Sequence, residues 1–221
     1  SCSLVGSEMC IRDRVQETLR KKLLEILPEA VFVGEEDDVH ASIKKGFAFI
    51  VDPIDGTTNF IKDYHVSAIS VGLAKDGEKY IGVVYNPYLD EMFTAERGKG
   101  AFLNGRPIHV SRNPLSEGIV LFGTAPYYEE LSKKSFQMAY AYFKKALDVR
   151  RSGSAAIDLC SIAAGRAELY FELRLSPWDF AAGALIVEEA GGVVTTVEGG
   201  AVTLGQKCSV LATNGRCGRL E

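Results

Sequence analysis

Asp52-Pro53-Ile54-Asp55-Gly56-Thr57-Thr58-Asn59-Phe60 is the stretch on which the reading of this chain turns. It follows an apolar run, Phe47 to Val51, expected to be a buried strand. Pro53 fixes φ and keeps the chain extended, and Gly56 permits a sharp turn. Asp52 and Asp55 are three residues apart, so a turn can aim both carboxylates at one point. The Ile54 carbonyl lies between them and adds a third oxygen. Hard divalent cations take a shell of carboxylates, backbone carbonyls and retained water. Gly56-Thr57-Thr58 then reads as a helix start, where free amides suit a phosphate. The same spacing also fits an Asp-Pro/Asp-Gly turn with capping threonines. An EF-hand is a poor fit, because its third position would be Ile54 and its twelfth Asp63.

Working outward, Gly34-Glu35-Glu36 follows a short strand expected at Val31-Phe32-Val33. A carboxylate there suits a metal or a water, although a run such as Glu35 to Asp38 is also the signature of a solvated face. Trp178-Asp179 opens a helix expected over Pro177 to Ala190. Asp179 fits either a functional carboxylate or a first-turn acid favoured by the helix dipole, and Trp178 fits core packing. Glu172, between Phe171 and Leu173, suits sugar hydroxyls or the outer face of a strand. Ser152-Gly153-Ser154 has no G-x-S-x-G frame and reads as a substrate-contacting turn. Arg97-Gly98-Lys99-Gly100 lacks the G-K-[ST] of a P-loop and reads as a turn.

The rest of the chain bounds the setting. It has 221 residues, 47% hydrophobic and 24% charged, as one large domain or two small ones would. A net charge of -4 argues against a nucleic-acid partner held on a basic face. No apolar run reaches the length of a membrane span, and the start does not read as a signal peptide. Five scattered cysteines without a C-x-x-C pair point away from disulfides and zinc and toward a reducing cytoplasm. Cys160 lies in an apolar helical run and reads as a buried small hydrophobe. Helices are expected over Val15–Leu27, Glu129–Leu147 and Ser154–Ala164. Strands are expected at 66–74, 80–85, 91–95, 147–151, 168–173, 193–196 and 209–213. That mixture predicts layered α/β sheets covered by helices, with a soft boundary near Leu115 to Glu117.

Taken together, these segments resemble the inositol monophosphatase family of magnesium-dependent, lithium-sensitive phosphatases. Gly34-Glu35-Glu36 and the Asp52 to Phe60 stretch come first. Gly98 to Gly105, Gly153-Ser154-Ala155-Ala156, Trp178-Asp179 and Glu189-Ala190-Gly191-Gly192 follow in the family's order. The resemblance implies an alternating α/β/α/β/α layered fold. It implies two or three Mg²⁺ ions, with Glu35, Asp52 and the Ile54 carbonyl on the first and Asp52, Asp55 and Asp179 on the second. Glu35 and Thr57 would orient the attacking water, with Asp55 in the catalytic set. The Gly56, Thr57 and Thr58 amides would bind phosphate. Asp55, Ser154, Ala155, Glu172 and Asp179 would face the alcohol. The implied reaction is hydrolysis of inositol-1-phosphate or a related sugar or polyol phosphate by direct in-line attack of water, without a phosphoenzyme. Relatives acting on 3'-phosphoadenosine phosphate, fructose-1,6-bisphosphate or histidinol phosphate give a second enzymatic reading. A non-catalytic role beside the transcription machinery gives one of another class. A homodimer is common in the family.

Residues 1–14 depart from that pattern. Ser3 to Asp13 resembles translated sequencing adapter, so the family-like domain is expected over 15–221. Arg219-Leu220-Glu221 reads as the start of a further helix, whose absence would expose apolar surface.

Overall fold

The computed structural model describes residues 4–35, 43–126 and 128–220, with side chains from residue 10 onward. The first sheet is built from β1 (Val31–Gly34), β2 (Phe47–Asp55), β3 (Ala68–Lys75), β4 (Glu78–Asn86), β5 (Glu91–Glu96), β6 (Ala101–Leu103) and β7 (Arg106–Ile108). These seven strands pair in chain order, with β1–β2 parallel and the rest antiparallel. Short connections allow that order, since antiparallel neighbours need only a hairpin turn. The Asp76-Gly77 and Asn104-Gly105 turns carry left-handed backbone at all four residues, as tight hairpins require.

The second sheet holds β8 (Ile119–Phe122), β9 (Asp148–Arg150), β10 (Leu169–Leu175), β11 (Val193–Thr195) and β12 (Cys208–Thr213). Its order is β11-β12-β10-β8-β9. The β8–β9 and β8–β10 pairs are parallel and need helical crossovers, supplied by α3 (Glu129–Phe143) and α4 (Ala155–Ala163).

Helices fill the layers between and outside the sheets. α1 (Leu4–Ile26) packs on the outer face of the first sheet, with Leu19, Leu23 and Leu24 against Phe32, Phe49 and Val51. α3 covers the second sheet, where the Tyr142 and Phe171 ring centroids lie 5.4 Å apart. α4 and α5 (Pro177–Glu189) lie between the sheets, and α5 is apolar on all sides, as a helix buried all round must be. The layers run α/β/α/β/α, as expected from the resemblance.

Beneath α5 the first sheet has no side chains at two neighbouring points. Gly72 of β3 and Gly82 of β4 are cross-strand partners. A Cβ on Gly82 would stand 2.6 Å from the Ala182 carbonyl oxygen, and one on Gly72 would stand 3.1 Å from the Ala181 Cβ. The helix therefore lies almost on the sheet backbone.

Some elements differ from the sequence expectation. The helix expected from Val15 begins at Leu4. The helix expected to reach Leu147 ends at Phe143, because the Leu147 amide bonds the Gly118 carbonyl and leads the chain into β9 beside β8. β6, β7 and β8 are additional strands of three or four residues. Leu115–Glu117 forms a single 3₁₀ turn between the last strand of the first sheet and the first strand of the second. Cys160 is buried in α4. Among the described residues no helix is long and apolar enough to cross a membrane.

Candidate active site

Asp52 and Asp55 stand on one strand, not on a turn after it. β2 runs on through Asp55, and its pairing with β3 slips between Asp52↔Ser70 and Asp55↔Ala68. Three steps on β2 face two on β3, which is a bulge of one residue. In a regular strand, residues three apart point to opposite faces, so the extra residue brings both carboxylates to one side. Pro53 and Ile54 fill the bulge, where a missing amide hydrogen is tolerated. The Ile54 amide closes back on Asp52 Oδ1 at 2.9 Å.

The third carboxylate comes from α5. Asp179 is the third residue of that helix, and its Oδ2 accepts the Ser176 amide at 2.7 Å. The first-turn cap is thus present, and the same side chain joins a carboxylate cluster. Asp52, Asp55 and Asp179 each bring an oxygen to within 4.8 Å of the others. Asp52 and Asp55 are buried and Asp179 is partly buried. Burial pushes the Asp52 carboxyl well up, and repulsion from Asp55, Asp179 and Glu35 adds to it. Asp179 is likewise pushed well up, by burial and then by Asp55. Asp55 rises to about 6 through burial, although the bonds it accepts oppose the rise. Three acids crowded in one dry place are disfavoured as anions unless a cation joins them. The donor set is all oxygen, with no thiol or imidazole among the three, and it fits a hard divalent ion such as Mg²⁺.

Two backbone segments fix Asp55. Its Oδ2 accepts the Ser154 hydroxyl and, at 2.9 Å, the Ala156 amide at the start of α4. Ser154 is itself the N-cap of that helix. The loop before α4 is latched to α2 (Thr57–Ile61) by Asn59, whose Nδ2 donates to the Val66 carbonyl at 2.7 Å and the Ser152 carbonyl at 2.9 Å. Gly56 has φ 83°, and a Cβ there would meet the Val66 oxygen at 2.9 Å. Asn59 carries no chemistry that its place in the stretch discloses. Its latch joins segments 93 residues apart, which no local spacing signals.

The remaining expected residues are distributed around this centre. Thr57 Oγ1 donates to the Ile54 carbonyl at 3.0 Å, so that oxygen already accepts one bond. Glu35 lines the same cavity as Asp179 and Glu172, but its Oε2 takes Arg12 Nη1 at 3.1 Å and it stands outside the 4.8 Å cluster. Glu36 of that motif, with Asp37, Asp38 and His40, lies outside the described residues. Glu172 is held by the Tyr170 hydroxyl at 2.8 Å and the Ala125 amide at 3.1 Å. Burial raises its carboxyl above the ordinary range. Gly123 is required beside it, since a Cβ there would fall 1.9 Å from Glu172 Oε2. The Arg97 to Gly100 turn is an intramolecular anion cradle, with the Gly98 and Gly100 amides each 2.8 Å from the Glu189 carboxylate. The 810 Å³ cavity lined by Lys79, Arg97, Glu188 and Thr203 holds none of the motif carboxylates. Asp179, Glu35 and Glu172 line a separate 370 Å³ cavity.

With that geometry in hand, known proteins can be set beside it. The chain matches the Inositol monophosphatase family over residues 9–219. It is 40% identical over 188 residues to the inositol-1-monophosphatase of Rhizobium meliloti, covering 85% of this chain and 71% of that one. It is 42% identical over 174 residues to the Nus factor SuhB of Vibrio cholerae, covering 78% of this chain and 65% of that one. The chain thus spans about two thirds of the length of these relatives. Among solved structures, the inositol monophosphatase of Anabaena superposes with TM-score 0.87 at 33% identity, covering 96% of this chain and 85% of its own. The inositol monophosphate-bound SaIMPase-II superposes with TM-score 0.84 at 30% identity, covering 94% of this chain and 80% of its own. By sequence over almost its whole length and by fold, this chain belongs to the inositol monophosphatase family.

Proposed function

We propose that the chain is a Mg²⁺-dependent phosphomonoesterase acting on inositol-1-phosphate or a related sugar or polyol monophosphate. One observation carries the reading: three aspartates from two distant segments crowd within 4.8 Å of one another. One solved relative, SaIMPase-II, carries inositol monophosphate in one structure and 2'AMP in another, both phosphate monoesters.

Asp52, Asp55 and Asp179 would hold the cations, with Glu35 and the Ile54 carbonyl completing the shell of one of them. When bound, the ions neutralise phosphate charge, acidify water and steady the leaving alkoxide. The chain's own groups do the positioning. The Thr57 hydroxyl spends its proton on the Ile54 carbonyl, so its oxygen is free to accept from a water. Glu35, half-exposed at the cavity, is the second acceptor for that water. The amides of Gly56, Thr57 and Thr58 supply donors to the phosphate. Ser154 and the Ala156 amide fix Asp55 in one rotamer. Glu172, already oriented by Tyr170 and Ala125, and the Ala155 backbone meet the hydroxyls of the alcohol. The attack is direct and in line, so no phosphorylated side chain accumulates.

The test is phosphate release from a panel of monoesters with Mg²⁺, with and without Li⁺. Mg²⁺-dependent, Li⁺-sensitive release is expected. No release from any ester overturns the reading, and a trapped phospho-serine or phospho-aspartate overturns the direct attack. The relatives named Nus factor SuhB favour a second reading, a Nus-factor role. That role would survive Asp55→Asn, whereas turnover would not.

A further inference from the structure

The 370 Å³ cavity beside Asp179 is lined by groups of both charges. Glu35, Glu172 and Asp179 line it, and so do Tyr128, Arg174 and Lys207. Backbone geometry puts the cations there. On β10, Leu173 and Leu175 are buried and Arg174 between them is exposed. The pairing of β10 with β12 slips between Glu172 and Leu175, so Arg174 stands in a bulge two residues beyond Glu172, and both side chains line the cavity. Its guanidinium carbon lies 4.6 Å from the Tyr128 ring centroid, which steadies the head without neutralising it. Lys207 precedes β12, whose Cys208 pairs with Leu175, so the antiparallel ladder carries Lys207 to the level of Ser176, at the start of α5.

Cations beside an acidic cavity ordinarily pair with its acids. Here the neighbouring acids are otherwise committed. Glu172 takes Tyr170 and Ala125, Glu35 takes Arg12, and Asp179 takes the Ser176 amide. Lys79, Arg97, Lys99, Arg150 and Arg166 each have a carboxylate within 4.0 Å. Among the described residues Arg174 and Lys207 stand in no such ion pair, and both are exposed to the cavity mouth.

We infer that Arg174 and Lys207 form a subsite for a second anionic group. The favoured substrate class is then a phosphate monoester whose alcohol carries a carboxylate on the side away from the scissile bond. The inference rests on the phosphatase reading above and narrows its substrate. The carboxylate cluster cannot hold two anionic groups of one ligand without repulsion, so the second must be met by separate cations. A 370 Å³ cavity lies within the roughly 300–1,000 Å³ range of small-ligand sites, enough for both ends of a short molecule.

A matched pair of esters tests this. Glycerol 1-phosphate and 3-phosphoglycerate differ in one hydroxymethyl, at the end away from the phosphate, replaced by a carboxylate. With Mg²⁺, kcat/KM for 3-phosphoglycerate is expected to exceed that for glycerol 1-phosphate by about tenfold, the size of one charge-assisted contact. The preference should shrink with added salt. It should fall to about one in the Arg174→Ala/Lys207→Ala double variant and invert in Arg174→Glu. The ratio is taken within one protein, so a poorly folded variant lowers both values and leaves it unchanged. A wild-type ratio near or below one, or a ratio unaltered in the double variant, overturns the subsite while the phosphatase reading stands. Absence of turnover for every ester removes both.

Discussion

Glu168 and Asp55 are both buried carboxylates that accept several hydrogen bonds, yet their surroundings differ in one decisive respect. Glu168 takes the Ser111 hydroxyl at 2.9 Å, the Asn113 amide at 3.1 Å and the Ile119 backbone amide at 2.6 Å. Among the described residues it belongs to no cluster of acids like that of Asp52, Asp55 and Asp179. It pins the 111–113 segment to the start of β8, and its hydrogen bonds leave nothing for a ligand to supply. Asp55 takes the Ser154 hydroxyl and the Ala156 amide but also shares its space with Asp52 and Asp179. Burial alone does not mark a site. Like charges crowded together without an internal counter-charge do.

The sharpest way to break the contrast is to exchange the two roles. Asp55→Asn should abolish Mg²⁺-dependent phosphate release while the circular dichroism spectrum stays native. Glu168→Gln should keep turnover. Loss of activity in the second variant with retention in the first would reverse the assignment.

Stability should respond the other way. Glu168→Ala strands three donors, and stranding one costs about 1–3 kcal/mol, so urea unfolding should show a loss at the upper end of that range or beyond. Activity per folded molecule should persist.

pH gives a further test of Asp55. The Asp55 carboxyl rises from 3.8 to about 6 in the folded chain, chiefly through burial. Between those values the folded state keeps a proton that the unfolded state has lost. The carboxylate therefore costs stability as pH rises through that window, by a few kcal/mol at most, and the cost persists above it. In chelator-treated protein, the Tm of wild type minus that of Asp55→Asn should fall across the window and then level off. Mg²⁺ at neutral pH should raise the wild-type Tm more. Parallel curves would refute the raised Asp55 carboxyl.

The smallest effect tests the latch. Asn59→Ala frees the Val66 and Ser152 carbonyls and loosens the loop that presents Ser154. A loss of about 1 kcal/mol is expected, seen as a several-fold fall in kcat/KM and weaker activation by Mg²⁺, with little change in Tm. Rescue by Asn59→Gln would argue against a requirement for that short reach.

The residues carrying the contrast differ in how far the sequence discloses them. Asp52, Asp55 and Asp179 are readable because dense local patterns surround them, and the layered fold follows from the order of strands and helices. The bulge between Asp52 and Asp55 is not readable. It depends on the partner register in β3, and the sequence reading places a turn where a strand continues. β8 escapes because four apolar residues have no distinctive period, and β6 and β7 because three residues are too few to show alternation. Asn59 and Gly123 escape for another reason. Their meaning lies in contacts with Ser152 and Glu172, 93 and 49 residues away in the chain.

The bare patch under α5 has a mechanical consequence. Because Gly72 and Gly82 leave the helix resting on backbone, the gap between helix and sheet is set by two missing methyl groups. Asp52 rides on the sheet and Asp179 on the helix, so that gap acts as a shim setting their separation. Thickening it by Gly82→Ala would shift Asp179 against Asp52 without altering either carboxylate.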